Sequence, residues 1–277
     1  MAQLGVAHRR TVGSRCVGAV PQGDWQTGTM AAMTQDLFRQ DAYLRECSAT
    51  VIAASEAEVV LDRTVFYPLG GGQAGDSGVL LLDGAEIRIA DTRKGKDAEG
   101  QPAPHISHVP APGQAELLAA LRPGTQVTLR VDWERRHKLM RFHTTTHLLC
   151  HLVPQLVNGC SITPEYARLD FNMTDPLDKD ALTAGIARLV AAAHPVTVGS
   201  ITDEELDANP ALVKSMSVQP PRGTGRVRTI RVGAGDLIDY QPCGGTHVAN
   251  TSEIGPVVVT KIEKKSATTR RVVLGFA

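Results

Sequence analysis

Aromatic side chains are scarce in this sequence. Phe, Tyr and Trp together make up 4 % of it, too few for the stacking platforms that grip single-stranded nucleic acid. Net charge is absent as well, because 29 Lys and Arg balance 29 Asp and Glu. That balance argues against a protein that coats nucleic acid nonspecifically, although a sum conceals local patches. No apolar run approaches the roughly 20 residues of a membrane-spanning helix, so the sequence reads as that of a soluble protein with no membrane partner. Cysteines are few and odd in number: five, at 16, 47, 150, 160 and 243. With no secretory apolar segment, this argues against a disulfide framework and for a reducing compartment. In that setting, cysteine near histidine points to metal or catalysis.

What is present is an ordinary globular balance, 42 % hydrophobic and 21 % charged, long enough to bury one large core or two small ones. Residues 1–32 hold Arg9, Arg10 and Arg15, no acid before Asp24, and no apolar period. They are set aside as a disordered extension. The alternatives are an organelle transit segment, for its Arg-rich, acid-poor make-up, or leader sequence before a true start at Met33. Residues 33–132 read as short strands at Cys47–Ala53, Val59–Leu61, Val79–Leu82, Ile87–Ala90 and Gln126–Val131. Turns at Pro68–Gly72, Asp83–Gly84, Glu99–Gly100 and Pro123–Gly124 separate them. This pattern predicts a small β-barrel or sandwich. The polar, proline-rich stretch from Lys94 to Gly113 predicts a long surface loop.

At Trp133 the period changes. Leu139, Met140, Leu148, Leu149, Leu152, Val153 and Leu156 predict a helix to about Val157, bent or ended by Pro154. A second helix is expected over Asp178–Ala193, then strands near Val196–Ile201, Val227–Val232, Val257–Ile262 and Arg271–Phe276. Residues 133–277 therefore read as an α+β domain. Charge is segregated: residues 174–210 are acidic, whereas Arg130–Arg141, Arg222–Arg231 and Lys261–Arg271 are basic. Brought together by the fold, the basic runs would hold a phosphate backbone.

Three motifs carry chemistry. In His143-Thr-Thr-Thr-His147, a spacing of four on a helix returns both imidazoles to one face, where they can converge on a cation. Thr144 stands where a zinc protease of the His-Glu-x-x-His type needs its general base, so that reading is excluded. His151 extends the same face but lies about 12 Å from His143 along a straight helix, too far to share an ion. It is expected to be a satisfied polar residue or a support to the ligands, with Cys150 in the core. The second motif, Cys243-Gly-Gly-Thr-His247, offers a thiolate and an imidazole on a loop that two glycines allow to fold tightly. His143, His147, Cys243 and His247 together make a zinc-type set of three nitrogens and one sulfur, one Zn2+ per chain. The third motif runs from Thr64 through Gly70-Gly71-Gly72 to Gln73. Its glycines match a dinucleotide fingerprint only by spacing, since a strand follows where a helix is required. The alternatives are a plain turn, or a loop whose bare amides and Gln73 approach a ligand.

These three motifs, in this order, resemble alanyl-tRNA editing domains, which occur within alanyl-tRNA synthetases and as free-standing proteins of the AlaX type. The resemblance spans roughly residues 36–276. It implies a translation-protein-like β-barrel followed by an α+β editing domain of the threonyl/alanyl-tRNA synthetase second additional domain type. It further implies hydrolysis of tRNA(Ala) mischarged with serine, and sometimes glycine, with zinc on His143, His147, Cys243 and His247. Too few residues precede the motifs for an aminoacylation domain, so a free-standing, cytoplasmic editor is expected, imported into an organelle if residues 1–32 are a transit segment. It would be a monomer or a dimer, with the aminoacylated tRNA acceptor end as partner.

Within that reading, Gln73 and the amides of Gly71 and Gly72 are expected to hold the reacting ester or water, and Thr64 to select serine through its hydroxyl. No carboxylate is adjacent to either metal motif in sequence to serve as a general base. Arg135, Arg136, Arg228, Lys261, Arg270 and Arg271 are expected to contact tRNA phosphates. Two rivals remain: a noncatalytic zinc-stapled RNA-binding module, and an editor of tRNA(Thr), which the glycine loop disfavours. A reachable pocket over the metal, walled by Gln73 and Thr64, would favour the enzyme.

Overall fold

Alternating apolar residues and tight turns build the first half of the chain. The computed structural model describes residues 33–221, 223 and 225–277; the extension expected over residues 1–32 lies outside them. A short strand β1 (Gln35–Asp36) runs parallel to β4 (Arg63–Thr64). Six longer strands follow: β2 (Glu46–Ala54), β3 (Val59–Leu61), β5 (Gly78–Leu82), β6 (Ala85–Lys96), β7 (Pro102–Pro110) and β8 (Gln126–Val131). They close into a barrel in the order β2-β3-β7-β6-β5-β8, so each strand has a neighbour on both sides along at least part of its length. Val51, Leu61, Leu80, Ile87 and Leu129 fill its interior, and Leu118 of helix α1 (Ala115–Ala120) joins them. The β5–β6 turn takes left-handed φ at Asp83 (50°) and Gly84 (84°), the geometry that matches strand twist in a two-residue hairpin.

The loop expected from Lys94 to Gly113 is instead mostly strand, because β6 runs to Lys96 and β7 begins at Pro102. The prolines do not prevent pairing. β3 pairs only with Ser107 and His108 of β7, so Pro102 and Pro104 face no second ladder strand; the Thr34 amide donates to the Pro104 carbonyl there, a bond that needs no proline N–H.

The second half is α+β. Helix α2 (Trp133–Leu152) starts on Asp132, whose carboxylate accepts from the Arg135 amide, and stops before Pro154. Strands β9 (Val157–Ile162) and β10 (Ala167–Asn172), helix α3 (Lys179–Ala191), strand β11 (Val196–Thr202), helix α4 (Asp203–Ala208) and strands β12 (Arg226–Val232), β13 (Asp239–Pro242), β14 (Val257–Ser266) and β15 (Thr269–Phe276) follow. One antiparallel sheet runs β14-β15-β10-β9 and a smaller one β11-β12-β13. Leu139, Met140, Phe142, Leu148 and Leu149 of α2 share a core with Ile186 of α3 and with Leu169, Phe171, Val259 and Val272 of the larger sheet. α2 is buried on its other side too, because His143, Thr144, Thr146 and His147 are also covered. The apolar pattern overran the helix: Leu156 lies beyond it and is exposed.

One ion pair ties α2 to the barrel. Arg136 is fully buried, and its Nε donates to Asp76 at 2.9 and 3.0 Å. Its Nη2 also donates to Asp76 and to the Val65 carbonyl (2.6 Å), and Nη1 donates to Ala42 O (2.9 Å). Asp76 in turn accepts from the Tyr67 amide. This corrects the expectation that Arg136 meets tRNA, since a guanidinium with no exposed surface cannot reach a phosphate. Asp76→Ala strands that charge, and a broken buried pair costs about 3–5 kcal/mol. The expected result is a lower urea midpoint with an unchanged slope. A loss under about 1 kcal/mol, the range of exposed pairs, would refute the role.

Candidate metal centre

α2 presents His143 and His147 one turn apart, their ring centroids 5.5 Å from each other. The loop after β13 brings Cys243 and His247 to the same point. Cys243 Sγ lies 3.4 Å from His143 Nε2 and 3.3 Å from His247 Nε2. One ligand atom from each of the four residues lies within 4.8 Å of the others. Four ligands at about 2.0–2.3 Å around a tetrahedral ion stand roughly 3.3–3.8 Å apart, which the two sulfur–nitrogen distances match. Gly245 is required here: a Cβ on it would sit 2.1 Å from His143 Cε1.

Each imidazole is held at its far nitrogen. His143 Nδ1 donates to Gln73 Oε1 (2.7 Å), His147 Nδ1 to Asp239 Oδ2 (2.6 Å) and His247 Nδ1 to Thr144 Oγ1 (3.2 Å). All three therefore turn Nε2 toward the centre, as metal-binding histidines with outer hydrogen-bond partners do. The electrostatics agree with the donor chemistry. Burial would raise the Cys243 thiol, but the charges of His143 and His247 hold it well below its usual value, toward the thiolate that binds metal. Burial, then the charge of His143, pushes His247 down to about 3. Burial also opposes the charged form of His147, yet Asp239 and Cys243 together raise it to about 9. Thiolate, three anchored imidazoles and their spacing fit a tetrahedral divalent ion, so these four residues could hold a metal.

Gln73 arrives from the barrel. Gly70 and Gln73 exchange backbone bonds of 3.1 and 3.0 Å across a turn in which Gly71 and Gly72 take positive φ. Gly72 is pressed onto Cys160 of β9 so closely that a Cβ would lie 2.8 Å from its sulfur, and its carbonyl accepts from Ile162. The Gln73 side chain is fully buried. Its Oε1 accepts from His143 and from the Thr246 amide (3.1 Å), and its Nε2 donates to Thr246 Oγ1 (2.9 Å). It braces the ligands instead of facing solvent.

A cleft of about 470 Å3 opens over the cluster, with His143, His147 and Cys243 on its floor and Tyr67, Gly70 and Gly71 on one wall. Neither Gln73 nor Thr64 lines it. The Thr64 hydroxyl is buried against His108 Nε2 (2.8 Å) and the Phe66 amide (2.9 Å). Burial holds His108 neutral, down to about 4, and its Nδ1 pairs with Val59 O. His151 is exposed and is not among the four clustered donors, whereas Cys150 packs in the core and touches the cleft.

The expected tRNA contacts scatter. Arg228 lines the cleft. Arg135 donates to Gly75 O (3.2 Å), Arg271 is paired with Asp170 (2.7 and 2.8 Å), and Arg270 is enclosed by carbonyls including Thr174 O. Lys261 is exposed and paired with Glu263 at 2.6 Å. Sequence reasoning missed Thr144 as the brace of His247, and Asp239, whose carboxylate joins His147 to Lys214. Asp239 lies four residues before Cys243, but only the strand pairing of β13 reveals where it points.

Comparisons with known proteins agree with this architecture. Residues 227–273 match the family model "Threonyl and Alanyl tRNA synthetase second additional domain", and residues 28–135 match "tRNA synthetases class II (A)". Fold, site and matches together define an editing-type module of the aminoacyl-tRNA synthetases. The chain is 31 % identical over 245 residues to the alanyl-tRNA editing protein AlaX-M of Saccharolobus solfataricus, covering 87 % of this chain and 98 % of that protein. It is 30 % identical to the AlaX-M of Methanosarcina acetivorans, covering 86 % and 97 %. The chain belongs to this AlaX-M family of alanyl-tRNA editing proteins. It is also 34 % identical to the alanine–tRNA ligase of Metallosphaera sedula, but spans only 25 % of that enzyme's length.

Cys243→Ala or His147→Ala is expected to abolish metal retention by elemental analysis, and Gln73→Ala or Thr144→Val to weaken metal affinity about 10–100-fold in chelator competition. Stoichiometric metal in both ligand variants would refute the assignment.

Proposed function

We propose that this protein hydrolyses the ester of tRNA(Ala) mischarged with serine, acting in trans in the cytoplasm, with zinc held by His143, His147, Cys243 and His247. The observation that carries the reading is the cleft over three of those four side chains, which gives an ester access to the centre. A purely structural zinc would lie beneath packed side chains. The same opening disfavours the noncatalytic RNA-binding module, and the likeness to alanyl editing proteins disfavours tRNA(Thr) as substrate. The proposal extends to a translation-protein type for the barrel and to a domain division at 132/133.

Zinc held by His143, His147, Cys243 and His247 would supply Lewis-acid chemistry for the ester. The rest is done by the chain. Water adds its oxygen to the carbonyl carbon, and the bond to the ribose oxygen breaks, releasing serine and tRNA with a free hydroxyl. Gly71, on the cleft wall, is placed to offer its amide to the ester. Gly72 serves the loop's seat on Cys160, and Gln73 keeps His143 and the Thr246 amide in register beneath the reacting groups. Asp239 holds His147 in one orientation; it is buried and paired with Lys214, so it is not a free base. Thr64 acts on selection at one remove. Its bonds to His108 and Phe66 fix the start of the segment whose Tyr67, Gly70 and Gly71 form the wall.

Purified protein is expected to release serine from Ser-tRNA(Ala) and to spare Ala-tRNA(Ala), measured by acid-precipitable label. Intact Ser-tRNA(Ala) after prolonged incubation with zinc-loaded protein would sink the reading. Thr64→Val, which removes both hydroxyl bonds at the start of that segment, is expected to lower discrimination between serine and alanine by roughly tenfold, about 1.4 kcal/mol. An unchanged ratio of the two rates would remove Thr64 from selection.

A further inference from the structure

The chain is neutral overall, yet its cleft is not. Among the described residues, Arg39, Lys94, Lys214 and Arg228 line it and no Asp or Glu does. Lys214 is neutralised by Asp239 behind the wall. Arg39 and Arg228 differ from it in position, since both touch the loop that carries the thiolate. Arg228 Nη1 donates to the carbonyls of Cys243 (2.7 Å) and Gly245 (3.0 Å). Arg39 Nη1 lies 3.4 Å from where a Cβ on Gly244 would stand. Arg228 is half-buried and has no carboxylate partner among the described residues. Two guanidiniums set against neighbouring residues of one loop concentrate positive charge at that end of the cleft. Among the described residues, the one carboxylate paired with either is Asp36, which binds Arg39 from outside the cleft lining. Planar guanidiniums match phosphate oxygens in pairs.

We propose that Arg39 and Arg228 form a clamp for a backbone phosphodiester of the substrate's single-stranded 3′ terminus. The clamp rests on the deacylase reading and deepens it. It fixes which end of the cleft takes the nucleotides: a phosphate beside Cys243–Gly245 puts the terminal ribose ester over His143 and His147. Sequence reasoning named Arg228 only as one of several basic residues and did not name Arg39, because a lone arginine beside Phe38 carries no motif.

The test separates binding from chemistry. Affinity for an uncharged RNA hairpin ending in single-stranded CCA is measured by fluorescence anisotropy against salt. Arg39→Gln and Arg228→Gln are each expected to weaken it about tenfold and to flatten the salt slope by about 0.7, while Arg130→Gln, on the barrel, leaves it unchanged. With seryl-tRNA, each variant is expected to raise KM about tenfold at nearly constant kcat, the mark of a contact made equally in ground and transition states. With 2′(3′)-O-seryl-adenosine, which has no phosphate, wild type and variants are expected to be equal. Arg228→Lys should recover part of the RNA affinity, and zinc content should match wild type in every variant. RNA affinity unchanged in both Gln variants overturns the clamp even if deacylation is observed. Loss of RNA affinity in both, with zinc retained, supports the clamp even if the serine assay fails. Equal losses on seryl-adenosine, or loss of zinc, would make the arginines props for the metal loop and overturn the clamp.

Discussion

A single buried ion pair sets the rest of the site. Arg136 on the first turn of α2 and Asp76 just after the glycine loop neutralise each other in the interior. A buried charge left alone is expensive enough that neither can move away. The bond therefore fixes the barrel's glycine loop relative to the helix that carries His143 and His147. Gln73 stands three residues before Asp76 and His143 stands seven after Arg136, so the 2.7 Å contact between Gln73 and His143 is short in chain length from the pair on both sides. Tyr67, whose amide donates to Asp76, is placed on the cleft wall by the same charge.

From that anchor the centre follows by hydrogen-bond satisfaction. Three buried imidazoles each have two nitrogens, and a buried polar atom without a partner is costly. Gln73, Asp239 and Thr144 each take one Nδ1. The three Nε2 atoms are left to face each other and the Cys243 sulfur, an arrangement of donors that a cation completes. The partners come from three places: the barrel loop, the strand β13 and the helix itself. A fold that assembled only one half of the chain would leave at least one histidine unoriented. The barrel is in this sense part of the candidate metal centre, although none of the four clustered donors comes from it.

Much of this was legible in the residues. His-x-x-x-His and Cys-x-x-x-His declare themselves because their members are close in sequence and their spacing has one physical reading on a helix or a tight loop. The barrel strands were legible from alternation and turns. What was not legible depended on long-range pairing. Arg136 sits in a basic run and looks like a surface charge; only its partner 60 residues away makes it a core residue. Pro102 and Pro104 look like loop until the short reach of β3 shows that no second ladder strand pairs with β7 there. Thr144 reads as an absent catalytic glutamate, and its positive role appears only when His247 arrives 103 residues later. Gln73 was found, but its burial beneath the cleft and its bonds to His143 and Thr246 were not, because burial is a property of the whole fold.

The zero net charge then takes on a different meaning. Charge on this chain is sorted by place: acids pair with bases at the surface and between elements, as Asp170 does with Arg168 and Arg271, while among the described residues Arg39, Lys94, Lys214 and Arg228 line the cleft and no Asp or Glu does. A field confined to a cleft is screened beyond about 8–10 Å at physiological salt, so it does not recruit nucleic acid over the whole surface. It acts on an anion already at the mouth. A neutral body with a locally positive cleft suits a protein that must inspect many charged tRNA ends briefly and retain the few whose ester reaches the centre. Tight, long-range attraction would hold correct substrates as firmly as wrong ones, since both carry the same phosphates. Under the proposed function, discrimination would fall to short-range contacts along the wall formed by Tyr67, Gly70 and Gly71, the part of the cleft that the Asp76–Arg136 pair positions directly from the barrel side.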